Sequence, residues 1–175
     1  MVDRVEKHDR ITVHYWSMVT AVSGTVGNFK SKLSSGAEID HGVVVIAIGA
    51  EPYRPEGVYL YKKHPNVLLS LDLDRELARQ SQRVKNARAV AFIQCVGSRD
   101  THHCDNSYCS AVCCMYAIKE AVIAKEHSPE PLDTAIFFMD MRTHGKDFEK
   151  YYWRAEQEHG VRFIRSRVHS IDPVP

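Results

Sequence analysis

Apolar positions follow two different rhythms along the chain, and the change falls near residue 50. Ile11–Val19 is dense in β-branched and aromatic residues and predicts a strand. Gly27–Leu33 sets Phe29 and Leu33 against Asn28, Lys30 and Lys32, the alternation of a half-buried strand. Ser23, Gly24 and Thr25 supply turn chemistry between them, and Ser34–Gly36 turns the chain into Ala37–Asp40. Gly42–Gly49 (GVVVIAIG) is apolar without alternating. Such a run predicts a strand buried on both faces, as in a parallel sheet.

Pro52, Pro55, Gly57 and Pro65 then form an irregular connector, the best domain boundary in the sequence. Leu71–Arg83 predicts a helix, with Leu73, Leu77 and Ala78 at helical spacing and Asp72 or Asp74 as its cap. From here strands and helices alternate. Ala89–Ile93 reads as a strand, and Cys109–Lys125 as a helix capped from Asp105–Ser107, with Ala111, Met115, Ile118 and Val122 on one face. Pro129 and Pro131 end it. Thr134–Met139 is the next strand, Arg142–Lys146 a polar turn, and Asp147–His159 a helix closed by Gly160. Val161–Ile164 and Val168–Ile171 close the chain as short strands. This order predicts an α/β fold with a doubly wound, mainly parallel sheet.

Composition narrows the function. Lys plus Arg number 23 and Asp plus Glu 22 in 175 residues, so there is no basic excess for nucleic acid or an anionic membrane. No apolar run approaches the roughly 20 residues of a membrane span, and charged Met1–Arg10 is no signal peptide. The five cysteines all lie between Cys95 and Cys114. A disulfide framework would spread and pair them, so the cluster points to metal or redox chemistry.

In parallel sheets ligands sit beyond the carboxyl ends of the strands. Two such ends carry unusual residues. At Ala47-Ile48-Gly49-Ala50 small side chains would let a flat ligand approach the backbone. Cys95-Val96-Gly97-Ser98-Arg99-Asp100 follows a strand and precedes a helix, where a dinucleotide-binding unit would place Gly-x-Gly-x-x-Gly. No such motif occurs in the sequence, and cysteines take its place. Cys109 and Cys113, one helical turn apart, would point the same way, whereas Cys114 is turned by about 100° and reaches the same centre only at a helix end or a distorted turn. Four thiolates suit either a 4Fe–4S cluster or structural zinc, and adjacent Cys113 and Cys114 are poor zinc-finger spacing. His102 and His103 keep a Cys/His zinc site open, against their reading as solvated loop residues. Cys104 is either a ligand or a spare thiol.

Cys95–Asp100, Tyr108-Cys-Ser-Ala-Val-Cys-Cys-Met-Tyr116 and Met139-Asp-Met-Arg-Thr-His-Gly-Lys146 together resemble the A-type iron–sulfur flavoprotein of heterodisulfide reductases. Val43–Pro52 is similar to the second flavin-contacting strand of thioredoxin-reductase-like flavoproteins. The resemblance implies a partial FAD-binding domain over residues 1–55, made of a β-meander and the last flavin-contacting strand. A connector and helix would fill 56–88. Residues 89–175 would form a partial Rossmann-like, mainly parallel three-layer subdomain carrying the cysteines.

The resemblance further implies a 4Fe–4S cluster on Cys95, Cys109, Cys113 and Cys114, and FAD contacts at Ala47, Ile48, Gly49 and Ala50. Backbone amides of Gly97 and Ser98 would donate to cluster sulfurs, and Arg99 would offset cluster charge, unless it pairs with Asp100. Arg142 and Lys146 would face the same crevice or stay in solvent. Trp16, Trp153, Tyr151 and Tyr152 are expected in a core or an interface. Cys104 lies outside the family's pattern, and Ala111 stands where arginine is usual. The family's Gly-rich FAD unit is expected before residue 1 and a ferredoxin-like domain after residue 175, so FAD binding by this piece is expected to be weak or nil. Cytoplasmic electron transfer within a complex of several subunits follows, with a sheet edge that would pair two copies. Two rival readings are a zinc-stabilised module without catalysis and a thiol–disulfide enzyme using Cys113 and Cys114.

Overall fold

The structure, a computed structural model, describes residues 2–174. It divides into two compact units, one ending at Ala50 and the other beginning at Glu51.

The first unit holds a short helix α1 (Val2–Glu6) and an antiparallel sheet of β1 (Val19–Thr25), β2 (Asn28–Leu33) and β3 (Glu38–His41) in that order. The predicted first strand is displaced. Ile11–Met18 stays outside the sheet because β2 offers pairing only from Val19, opposite Leu33. The turn moves as well. Ser23–Thr25 lie within β1, paired with Lys30, Phe29 and Asn28, and the chain reverses at Val26–Gly27. Gly24 is needed there for closeness rather than for turning, since a Cβ would overlap the Asn28 carbonyl.

The predicted strand Gly42–Gly49 is not a strand in the structure. Residues 43–48 run without a strand partner among the described residues, with Val43, Val45, Ile46 and Ile48 70–91% exposed. An apolar run becomes a strand only when a neighbouring backbone takes up its N–H and C=O groups, and β1–β3 provide none. Trp16, expected in a core or interface, is fully exposed.

In the second unit the predicted helix Leu71–Arg83 is two helices, α2 (Ser70–Ala78) and α3 (Gln82–Lys85). Gln80 in the left-handed region breaks it, and the Ser81 hydroxyl restarts it by accepting from the Val84 amide. Neither Asp72 nor Asp74 caps α2: Asp72 accepts from Arg75 and Asp74 from the Tyr116 hydroxyl. Then come β4 (Ala89–Ile93), α4 (Cys113–His127), β5 (Asp133–Phe138), α5 (Phe148–Gln157) and β6 (Arg162–Arg165). The strands form a parallel sheet, β4-β5-β6, with Phe92, Ile136 and Phe163 in register. Val168–Ile171 forms no strand, and the Tyr59 hydroxyl donates to the Val168 carbonyl instead.

α4 supplies the largest share of the core. Ile118 and Ala121 are fully buried against Phe92, Ile136 and Val161. Each large apolar side chain so enclosed contributes about 1.5–3 kcal/mol. Tyr151 and Tyr152 pack on this cluster, with Tyr152 edge-on to Phe163 at 4.5 Å, while Trp153 is more than half exposed. No described helix is long and apolar enough to cross a membrane.

Candidate metal centre

β4 ends at Ile93, and two residues later Cys95 takes φ 62°, a left-handed conformation costly for a side chain with a Cβ. Gly97, Arg99, Asp105 and Ala111 are left-handed too. Of the ten left-handed non-glycine residues among those described, four lie in this connection.

The segment is a small hairpin. The Arg99 amide donates to the Tyr108 carbonyl at 3.0 Å, and Asp100 and Asn106 exchange backbone bonds at 2.7 and 2.9 Å. Ser98 is buried and ties the base: its hydroxyl donates to the Tyr108 carbonyl at 2.8 Å and accepts from the Ser110 amide. Asn106 adds a bond from Nδ2 to the Gly97 carbonyl. At the tip Asp100 Oδ1 accepts from the amides of His102 and His103. Those amides, the His103 one foremost, hold its carboxyl down at about 2, and Arg167 reaches the other oxygen at 2.9 Å. The excursion returns the chain to β4's end, so Cys109 comes back beside Cys95 without a helix between them.

α4 therefore starts at Cys113, four residues later than its sequence predicts. Left-handed Ala111 stops the helix from extending backward, and Val112 provides no side-chain cap. Asp105–Ser107 belongs to the hairpin, not to the cap, and Ala111 is exposed rather than on the apolar face. Cys113 and Cys114 sit in the first turn, where the uncovered amides of a helix favour thiolates.

Four of the five cysteines act on one another. Burial raises the Cys95 thiol, and negative charge on Cys113 and Cys109 would raise it further, with Arg99 opposing. The Cys113 thiol is lowered, chiefly by a hydrogen bond from Cys114, whose own thiol is correspondingly raised. Cys114 is buried, its sulfur 3.9 Å from the Asp140 carbonyl, and the Ala111 amide donates to the Cys109 sulfur at 3.3 Å. Cys104 is held elsewhere: its thiol donates to the Asp100 carbonyl at 3.1 Å inside the hairpin. None of the five forms a disulfide.

The remaining predicted residues divide. The Ser98 amide bonds to the Cys95 carbonyl at 3.3 Å, so it is not directed at a sulfur ligand as expected. Gly97 lies under the Tyr53 ring, which a Cβ would overlap. Arg99 pairs with Asp140 at 2.7 Å, not with Asp100. The Arg142 amide helps the Cys114 thiolate, whereas Lys146 is exposed. His102 and His103 are exposed, His103 facing Asp100. Ala47–Ala50 belong to the first unit and are exposed. Sequence reasoning does not single out Asp140, Asn106 or Tyr53. Asp140 follows β5, and the rule that parallel sheets place ligands beyond strand ends would mark it.

A lone zinc needs three or four donors within about 2.0–2.3 Å of one point. Among the described residues no three His, Cys, Asp or Glu side chains form such a group. Four cysteines near the end of β4 and the start of α4 make an all-sulfur donor set, which both structural zinc and iron–sulfur clusters use.

No family model matches the sequence. Curated relatives do. The second of two A-type iron–sulfur subunits of the CoB–CoM heterodisulfide reductase of Methanopyrus kandleri is 42% identical over 146 residues, 77% of this chain and 22% of the relative. The chain is a relative of the A-type heterodisulfide reductase subunits. The A-type subunit of the H2:CoB–CoM heterodisulfide, ferredoxin reductase of Methanothermobacter thermautotrophicus is 38% identical over 77% of the chain and 22% of its own length. A protein of Archaeoglobus profundus named as similar to the same subunit type reaches 46% over 86 residues, 49% of the chain and 12% of the relative. The chain thus spans about a fifth of the length of the first two of these relatives.

Proposed function

We propose that this chain carries a 4Fe–4S cluster on Cys95, Cys109, Cys113 and Cys114, and works as an electron-transfer segment of a heterodisulfide reductase-type iron–sulfur flavoprotein. The observation that supports it is the hairpin of residues 99–108, which returns Cys109 to Cys95 and holds Cys104 apart. A bound cluster would supply one-electron storage. The residues do the rest. Cys95 anchors the strand end, Cys113 and Cys114 anchor the helix end, and the Ala111 amide donates to sulfur. Arg99 counters the negative charge that four thiolates bring.

FAD fits less fully. Ala47–Ala50 offer small residues at one end of an extended run, but the sequence has no Gly-x-Gly-x-x-Gly turn and the run has no strand beside it. We accordingly assign a partial FAD-binding domain to residues 1–55, holding FAD weakly or not at all, with the connector at 56–88 and the cluster subdomain at 89–175. Partner subunits of a cytoplasmic complex would complete the route of the electrons.

The lowered Cys113 thiol would also suit thiol–disulfide exchange with Cys114. Oxygen-free reconstitution with iron and sulfide separates the two. The wild-type chain and Cys104→Ser should retain iron and acid-labile sulfide, and Cys113→Ser should lose both. Loss in Cys104→Ser with retention in Cys113→Ser would overturn the ligand set. Colourless wild type with five reactive thiols would overturn the cluster.

A further inference from the structure

α4 carries a second chemical group that the thiolate centre does not use. Glu120 is 1% exposed, and neither of its carboxylate oxygens has a hydrogen-bond partner among the described residues. An ionised carboxylate without partners is among the most costly groups to enclose. It lies six positions beyond Cys114, about 9 Å along the helix axis. The helix whose first turn holds two of the proposed cluster ligands therefore also holds this acid.

Its surroundings favour the protonated form. Burial is the largest influence and Asp74 of α2 the next, while the Ser70 and Tyr116 hydroxyls, near the carboxyl but outside hydrogen-bond geometry, and the charge of Lys119 oppose them. Its carboxyl is pushed up to about 8. The other elements packed on α4 bring little charge to it. β4 has no titratable residue, Asp133 of β5 is paired with Arg162, and Tyr151 of α5 faces Glu126 and Arg154. Tyr116, one turn before Glu120, donates to Asp74 at 2.8 Å, and Ser70 on the same side is exposed. Asp74, Tyr116 and Ser70 thus form a polar edge beside Glu120.

On the reading that the four cysteines hold a cluster, we infer that Glu120 is the proton acceptor coupled to its reduction. The balance is simple. Above about pH 8, where Glu120 is ionised before reduction, one electron from a one-electron donor makes the centre more negative by one charge, and one proton from water joins the Glu120 carboxylate, leaving hydroxide to the buffer. The reduced centre raises the carboxyl's proton affinity through a low-dielectric helix interior, and by linkage the proton raises the cluster's potential.

The test uses the full chain, reconstituted without oxygen, with the cluster's midpoint potential followed by electron paramagnetic resonance from about pH 6 to about pH 10. Wild type should show a potential that falls with pH over part of that range. The steepest slope is about 59 mV per pH unit, the tenfold change in equilibrium constant of a one-electron couple. Glu120→Gln should flatten the slope, and Asp74→Asn should move its onset to lower pH. A reduced-minus-oxidised infrared spectrum of wild type recorded above about pH 8 should show a carboxylic acid band gained on reduction, which decides the matter if Glu120→Gln does not fold. A flat wild-type profile, a slope retained in Glu120→Gln, or no carboxylic band would overturn the inference with the cluster intact. A chain that binds no iron would overturn both readings, and its iron content shows which case applies.

Discussion

Arg99 donates to Asp140 at 2.7 Å, a bond that joins the turn after β4 to the end of β5. The backbone carbonyl of the same Asp140 faces the Cys114 sulfur, and Arg99 also acts on Cys95 and Cys109. Asp140 therefore both fixes the guanidinium and decides how much of its charge is left for the thiolates. Replacing Arg99 by Leu should lower the reconstituted cluster's potential by roughly tens of millivolts, and Asp140→Asn should raise it. Redox titration of both variants checks this, and shifts of the same sign would count against it.

Gly97 should tolerate no side chain. It is left-handed, and a Cβ would enter the Tyr53 ring. Gly97→Ala is expected to cost about 1–3 kcal/mol of unfolding free energy. Adding Tyr53→Ala should return part of that loss, measured by urea unfolding of the single and double variants.

Thr134 is fully buried in β5, and its hydroxyl has no hydrogen-bond partner among the described residues. Valine has nearly the same shape without the hydroxyl. Thr134→Val should raise stability by about 1 kcal/mol, read as a higher urea midpoint with an unchanged slope.

Glu120 also makes the metal-free chain sensitive to pH. Its folded-state value lies near 8, above the ordinary 4.5, so between these the folded chain binds more protons than the unfolded one. Glu120's share of the stability should be full below about 4.5 and be lost as pH rises through about 8, by roughly a few kcal/mol at most. Urea midpoints of wild type and Glu120→Gln across that range test it, the variant losing this slope.

Much of the second unit is legible because its strands and helices are marked by local signals: the apolar runs at Ala89–Ile93 and Thr134–Phe138, and Pro129 and Pro131 after α4. The first turn of α4 is not. Nothing in Cys109–Val112 opposes helix formation, and the break comes from the hairpin bonds of Ser98, Asp100 and Asn106, which span the loop. Val43–Ile48 misleads for the opposite reason. Its residues ask for a strand, but a strand is a property of two backbones. The cysteine block points to metal or redox chemistry by its clustering, and only the resemblance sets Cys104 apart from the other four. The acid at Glu120 is invisible, because one Glu on a helix reads as solvated until its face is known.

The run Val43–Ile48 has a bearing on handling the molecule. Six consecutive uncharged residues, five of them valine or isoleucine and none proline, have the composition from which dry, interdigitated fibril spines are built. With those side chains turned outward, each copy in solution offers an adhesive edge to the next. Purified at high concentration, the chain is set to precipitate as ordered aggregate, and Val45→Lys would be the simplest gatekeeper.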